Sequence, residues 1–180
     1  MQTSQNLRLK KISLTTALLV PLLVLLIPFF ATLISVHVNW GVFDFLLVAL
    51  ILIVASLSYR TIANKTRSFR YKAGVATGLV AYLLSTWMNL AVGIVGSPDN
   101  PINQIFHGFL LFSAICVVFG RFSTRSLFAA FIIPALSFLF MAGITFSYQE
   151  VIVVPIMCLI LASLFVLATW LIRSTESVRR

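Results

Sequence analysis

Two histidines, three carboxylates and one amide are the side chains that could do chemistry in this chain: His37, Asp44, Asn89, Asp99, His107 and Glu150. Imidazole and carboxylate together suit zinc or a similar ion, or a protonatable solute. None of these residues has ligand spacing such as H-x-x-x-H, so no metal site is expected. Two imidazoles facing each other at one depth would suit the axial positions of a haem, which makes His37 and His107 a haem alternative. Asn89 stands inside an apolar run, where an amide facing lipid is costly. It either hydrogen-bonds to a neighbouring helix, with carbonyls freed near Pro134 or Pro155 as candidate partners, or contacts a ligand in a cavity. Asp44 follows Trp40-Gly41-Val42-Phe43 and suits the first turn of a helix, where it can cap backbone N–H groups. The remaining alternative is that these groups are ordinary interface residues, with Trp40 in an aromatic belt. No G-x-S-x-G, Walker loop or H-E-x-x-H is present, so no constellation supports an enzyme, and no cofactor is expected outside that haem alternative.

The elements that hold these residues are membrane helices. Hydrophobic residues make up 61% of the 180 residues, charged ones 9%, and the mean hydropathy is +1.08. A soluble domain is roughly half apolar and a quarter charged, so the solvent of this chain is lipid. A helix needs about 20 apolar residues to cross the hydrocarbon core. Six runs qualify, at approximately 12–36, 42–59, 73–96, 105–120, 127–146 and 151–172. The fourth is the shortest and gains length if Pro101–Gln104 join it. The expected fold class is all-α: one polytopic helical-bundle domain over residues 1–180.

The net charge of +9 does not point to nucleic acid, because the basic residues lie in short segments between apolar runs. Arg8, Lys10 and Lys11 precede the first run, and Arg60, Lys65, Arg67, Arg70 and Lys72 lie between the second and third. Arg121 and Arg125 separate the fourth from the fifth, and Arg173, Arg179 and Arg180 follow the sixth. These alternate loops carry all 13 basic residues, and the other three loops carry none. The positive-inside rule then predicts both termini in the cytoplasm. The first run is too long for the h-region of a cleaved signal peptide and no clear A-x-A site follows it, so a retained helix is expected. Pro21 and Pro28 should kink it. Asn64-Lys65-Thr66 has sequon form but falls in a cytoplasmic loop. Cys116 and Cys158 lie singly inside apolar runs and read as buried thiols.

Gly74, Gly78, Ala81, Ser85 and Asn89 recur every three or four residues and fall on one stripe of the third helix. Small residues let helix backbones approach in lipid, so the stripe reads as a packing face at the centre of the bundle, the alternative being a solute path. Ser97-Pro98-Asp99-Asn100 has turn chemistry, and Asn100-Pro101 reads as the N-cap and first residue of the fourth helix.

Trp40-Gly41-Val42-Phe43-Asp44-Phe45 has the form W-x-x-F-D-F at the entry to a helix. Tyr71-Lys72-Ala73-Gly74 is followed by Trp87-Met88-Asn89-Leu90-Ala91-Val92-Gly93-Ile94-Val95-Gly96-Ser97 and then Asp99-Asn100-Pro101. Together with Gly120-Arg121-Phe122 and Leu127-Phe128-Ala129, this resembles a group of small bacterial multi-pass membrane proteins with a W-x-N-x-AVGIIGS-x-DNP motif and no known activity. The resemblance covers roughly residues 40–140 and departs at Pro98, where the pattern carries an acidic residue. It implies a bacterial cytoplasmic membrane and no particular chemistry. The expectation is a non-enzymatic structural or accessory protein whose partners are the lipid bilayer and either a second copy or another membrane protein. The alternative is transport or sensing of a small solute or ion through an outward-facing polar cavity.

Overall fold

The computed structural model describes residues 11–35, 40–66, 68–91, 93–95, 100–147 and 152–177. The chain is all-helical over these residues: α1 Leu14–Ile34, α2 Val42–Ala63, α3 Phe69–Ala91, α4 Pro101–Phe119, α5 Thr124–Ser147 and α6 Val153–Ser177. All six are long and apolar enough to cross a membrane. Their ends follow capping chemistry more closely than hydropathy. α4 begins four residues earlier than the apolar run because Asn100 is extended at its N-cap, its side chain accepts from Ile102 N, and Pro101 occupies the first turn. α3 stops at Ala91, short of the expected Gly96, because Gly93 has φ 76° and its N–H turns back to Met88 O at 3.0 Å. α6 continues beyond its apolar run through Arg173, and Thr175 Oγ1 there donates to Leu171 O.

Backbone contacts divide the chain into two compact units, residues 1–67 and 68–180. In the first, α1 runs through Pro21 and Pro28 and packs on α2. Asn64, at the C-terminal end of α2, closes this hairpin with two bonds to the backbone of one residue. Its Oδ1 accepts from Ile12 N at 2.9 Å and its Nδ2 donates to Ile12 O at 3.0 Å. The asparagine of the sequon form therefore has a structural role.

In the second unit α5 and α6 pack most extensively, α3 lies against α6, α4 against α5, and the backbones of α3 and α4 approach at few places. The small stripe of α3 explains its approach. A Cβ on Gly74 would lie 2.9 Å from both Ala168 O and Ile172 Cγ1 of α6, and one on Gly78 would lie 2.2 Å from the Phe131 ring of α5. Ala81 and Ser85 are fully buried. Aromatic rings fill the space between the four helices. Phe106 stacks on Phe138 at 5.0 Å, Phe138 on Phe165 at 6.1 Å, and Tyr82 meets Phe165 edge-on at 5.2 Å. Offset and edge-on pairs of this kind add about 0.5–1.5 kcal/mol beyond the area they bury.

The polarity of the surface is the reverse of a water-soluble bundle. Ser85, Asn89, Asn103, Ser113, Thr145 and Thr169 are buried, while Ile27, Phe112 and Phe140 are among the many large apolar side chains left more than half exposed. Hydroxyls inside α3, α5 and α6 return their protons to their own helices: Ser85 to Ala81 O, Thr145 to Met141 O and Thr169 to Phe165 O.

Candidate functional site

Asn89 and His107, on α3 and α4, are in direct contact, and Asn103 joins them. Asn89 is 2% exposed and Asn103 1%. Asn89 Nδ2 lies 2.7 Å from Asn103 O and 3.0 Å from His107 Nδ1. The Asn103 carbonyl can only accept, so the amide atom facing it is the nitrogen. The second amide proton then points at His107 Nδ1, which must accept. His107 therefore carries its ring proton on Nε2. In this arrangement the Nε2 lone pair is not available to a metal or a haem iron, whose histidine ligands offer it that lone pair.

The side chain of Asn103 turns the other way and holds the connection after α3. Its Oδ1 accepts from Ile94 N at 3.2 Å and Val95 N at 3.0 Å, and its Nδ2 donates to Val95 O at 3.2 Å. Ile94 and Val95 are both 5% exposed, so these peptide groups would otherwise be buried without partners. Asn103 thus replaces the secondary structure that residues 94 and 95 lack. α3 and α4 have little backbone contact, and this polar joint links them instead.

The joint leaves two atoms over. Asn89 Oδ1 and His107 Nε2 are buried and make no hydrogen bond. One is an acceptor, and the tautomer just deduced makes the other a donor. Burying such a group unpaired costs about 1–3 kcal/mol.

A second polar cluster joins α3, α4 and α5 in the same unit. Pro134 has no N–H, so the carbonyl of Ala130 one turn earlier has no helical donor. Tyr82 Oη donates to Ala130 O at 3.0 Å and also meets Ser113 Oγ, while Ser113 Oγ lies 2.9 Å from Leu110 O. Two hydroxyl protons serve three contacts. Giving the tyrosine proton to Ala130 O and the serine proton to Tyr82 Oη leaves Leu110 O with its own helix.

The residues singled out in the sequence divide as follows. Asn89 and His107 are brought together. Asn89 finds Asn103 and His107, not a carbonyl near Pro134 or Pro155; Tyr82 takes the one freed by Pro134. Asp44 is exposed in the first unit, where its Oδ2 accepts from Gly41 N at 2.8 Å and caps α2. His37, Asp99 and Glu150 lie outside the described residues. Gly74, Gly78, Ala81 and Ser85 form the buried face of α3 described above. Among the described residues no three His, Cys, Asp or Glu side chains gather where they could hold a metal ion. Asn103 and Tyr82 were not singled out. Their signals were present: Asn103 stands four residues before His107 on one helix face, and Pro134 announces a carbonyl that needs a donor. Comparison with protein families, with curated proteins and with solved structures found no match to this chain.

Proposed function

We propose that this chain is a non-enzymatic structural or accessory protein of a bacterial cytoplasmic membrane. Its six helices cross the bilayer with both ends in the cytoplasm, and it assembles through helix packing with a second copy or another membrane protein. The observation that carries this reading is where the polar groups go. Asn89, Asn103, Tyr82 and Ser113 spend hydrogen bonds on joining helices and filling gaps in the backbone, while large apolar side chains face outward. In lipid, polar contacts and small residues hold helices together because apolar burial between helices gains little. The orientation rests on the 13 basic residues, all of which fall in alternate segments between or beyond the apolar runs of the sequence. The bacterial source rests on the resemblance over residues 40–140.

Cysteines introduced one at a time, with Cys116 and Cys158 replaced by alanine, test the topology. Ser147→Cys, at the exposed end of α5, is expected to react with a membrane-impermeant maleimide in intact cells. Ser123→Cys, beside Arg121 and Arg125, is expected to react only after lysis; the reverse pattern would overturn the orientation. The structural role is tested in vesicles carrying the purified chain, which should show no flux of ions or neutral solutes. A flux that Asn89→Ala abolishes while the fold is retained would refute it.

A further inference from the structure

Three helix ends of the second unit meet at two side-chain contacts. Tyr71 Oη of α3 lies 3.4 Å from Thr124 Oγ1 at the start of α5. Ser68 Oγ, just before α3, lies 3.4 Å from Thr175 Oγ1 near the end of α6. Cations flank both contacts. Arg70 and Lys72 stand on either side of Tyr71, Arg125 follows Thr124, and Arg173 lies two residues before Thr175. Arg121 adds a fifth from the short connection between α4 and α5. The only carboxylate in residues 68–72, 119–126 and 170–177 is Glu176. Among the described residues no ion pair engages Arg70, Lys72, Arg125 or Arg173. Helix direction adds to the surplus, since Arg70 and Arg125 lie in the first turns of α3 and α5, where the helix end is already positive and no acidic residue offsets it.

The surface beside these cations is apolar. Phe69, Phe119 and Trp170 are each more than half exposed. Phe69 adjoins Arg70, Phe119 is two residues from Arg121, and Trp170 is one turn before Arg173. We infer that the ends of α3, α5 and α6 carrying Arg70, Lys72, Arg125 and Arg173 form a docking surface for anionic phospholipid. A free phosphate answers the charge and leaves the apolar side chains bare. A phospholipid answers both, with its phosphate towards the cations and its acyl chains along the exposed rings. Phosphatidylcholine also has a phosphate, but its choline cation would lie among like charges. A headgroup with net negative charge, such as phosphatidylglycerol, has no such penalty. The inference rests on the reading that the helices cross a bilayer, and not on which end faces the cytoplasm.

Trp170 is the reporter for the test. The full chain with Trp40→Phe and Trp87→Phe is reconstituted in mixed phosphatidylcholine and phosphatidylglycerol vesicles, with acyl chains brominated near the headgroup on one lipid or the other. Bromine quenches tryptophan only in contact, so the two quenching curves give the lipid composition beside Trp170. Phosphatidylglycerol is expected to be enriched there about fivefold, the factor equivalent to about 1 kcal/mol for one nearby basic residue. The enrichment should fall towards one in Arg125→Gln/Arg173→Gln, with helical circular dichroism confirming the fold. A second reporter keeps the test valid if that variant does not fold. Trp87 lies on α3 within two residues of Asn89, far along the helix from Arg70, and as the sole tryptophan it should show no enrichment. Equal quenching by the two lipids at Trp170, or the same preference at Trp87, would overturn the inference, and so would a folded double variant that keeps the full enrichment. Flotation with the vesicles is measured first. A chain that does not float overturns the membrane reading, whereas a chain that floats and shows no enrichment overturns this inference alone.

Discussion

Tyr82→Phe removes one oxygen and leaves the ring, so its edge-on contact with Phe165 at 5.2 Å survives and no large cavity opens. What is lost is the donor to Ala130 O. That carbonyl has no helical partner because residue 134 is proline. An unsatisfied buried carbonyl costs about 1–3 kcal/mol. Side-chain hydrogen bonds between membrane helices average about 0.6 kcal/mol and reach about 1.7. The substitution is therefore expected to destabilise the chain by about 1–1.7 kcal/mol, the overlap of these ranges. The mechanism is tested by a second substitution. Pro134→Ala restores an N–H that can bond Ala130 O within α5, so the tyrosine hydroxyl becomes partly redundant. In that background Tyr82→Phe should cost less than about half as much, the remainder being the bond to Ser113. Reversible unfolding in mixed micelles with rising dodecyl sulfate, followed by helical circular dichroism, measures all four corners of the cycle. Equal losses in both backgrounds, within about 0.3–0.5 kcal/mol, would refute the argument that Tyr82 serves the carbonyl left by Pro134.

Two further predictions use the same unfolding assay. Gly78→Ala places a Cβ 2.2 Å from the buried Phe131 ring and should destabilise the chain by about 1–3 kcal/mol. Gly108→Ala and Gly143→Ala meet nothing within 4 Å and should be neutral or stabilising by up to about 1 kcal/mol; a loss at these positions as large as at Gly78 would refute the packing argument. Asn103→Ala strips partners from Ile94 N, Val95 N and Val95 O and should cost about 2–4 kcal/mol. Hydrogen exchange at the Ile94 and Val95 amides should speed up in this variant, and unchanged exchange would mean that Asn103 does not hold the connection.

Read without coordinates, the chain already yields six helices, because a run of about 20 apolar residues is a local property that needs no partner. The start of α4 at Asn100-Pro101 and the cap of α2 by Asp44 are legible for the same reason: the groups involved are within four residues of each other. The small stripe of α3 is visible too, since one face of one helix is a matter of periodicity. Periodicity does not say what the stripe meets. Only the fold sets Gly78 against Phe131 and Gly74 against the backbone at Ala168. The polar partners were out of reach for the same reason. Pro134 shows from sequence that a carbonyl is freed, and Asn89 that an amide needs a partner, but matching them to each other failed. Tyr82 stands 48 residues from Ala130 and reaches it, whereas Asn89 meets Asn103 and His107 across the connection it helps to close. Pro155 frees no carbonyl of α6, because it lies in the first turn, where N–H groups have no helical acceptor. The sequence alone settles which segments are helices and which residues need partners, because both depend on neighbours along the chain. Which partner each one takes depends on distances through space, and those exist only once the helices have packed.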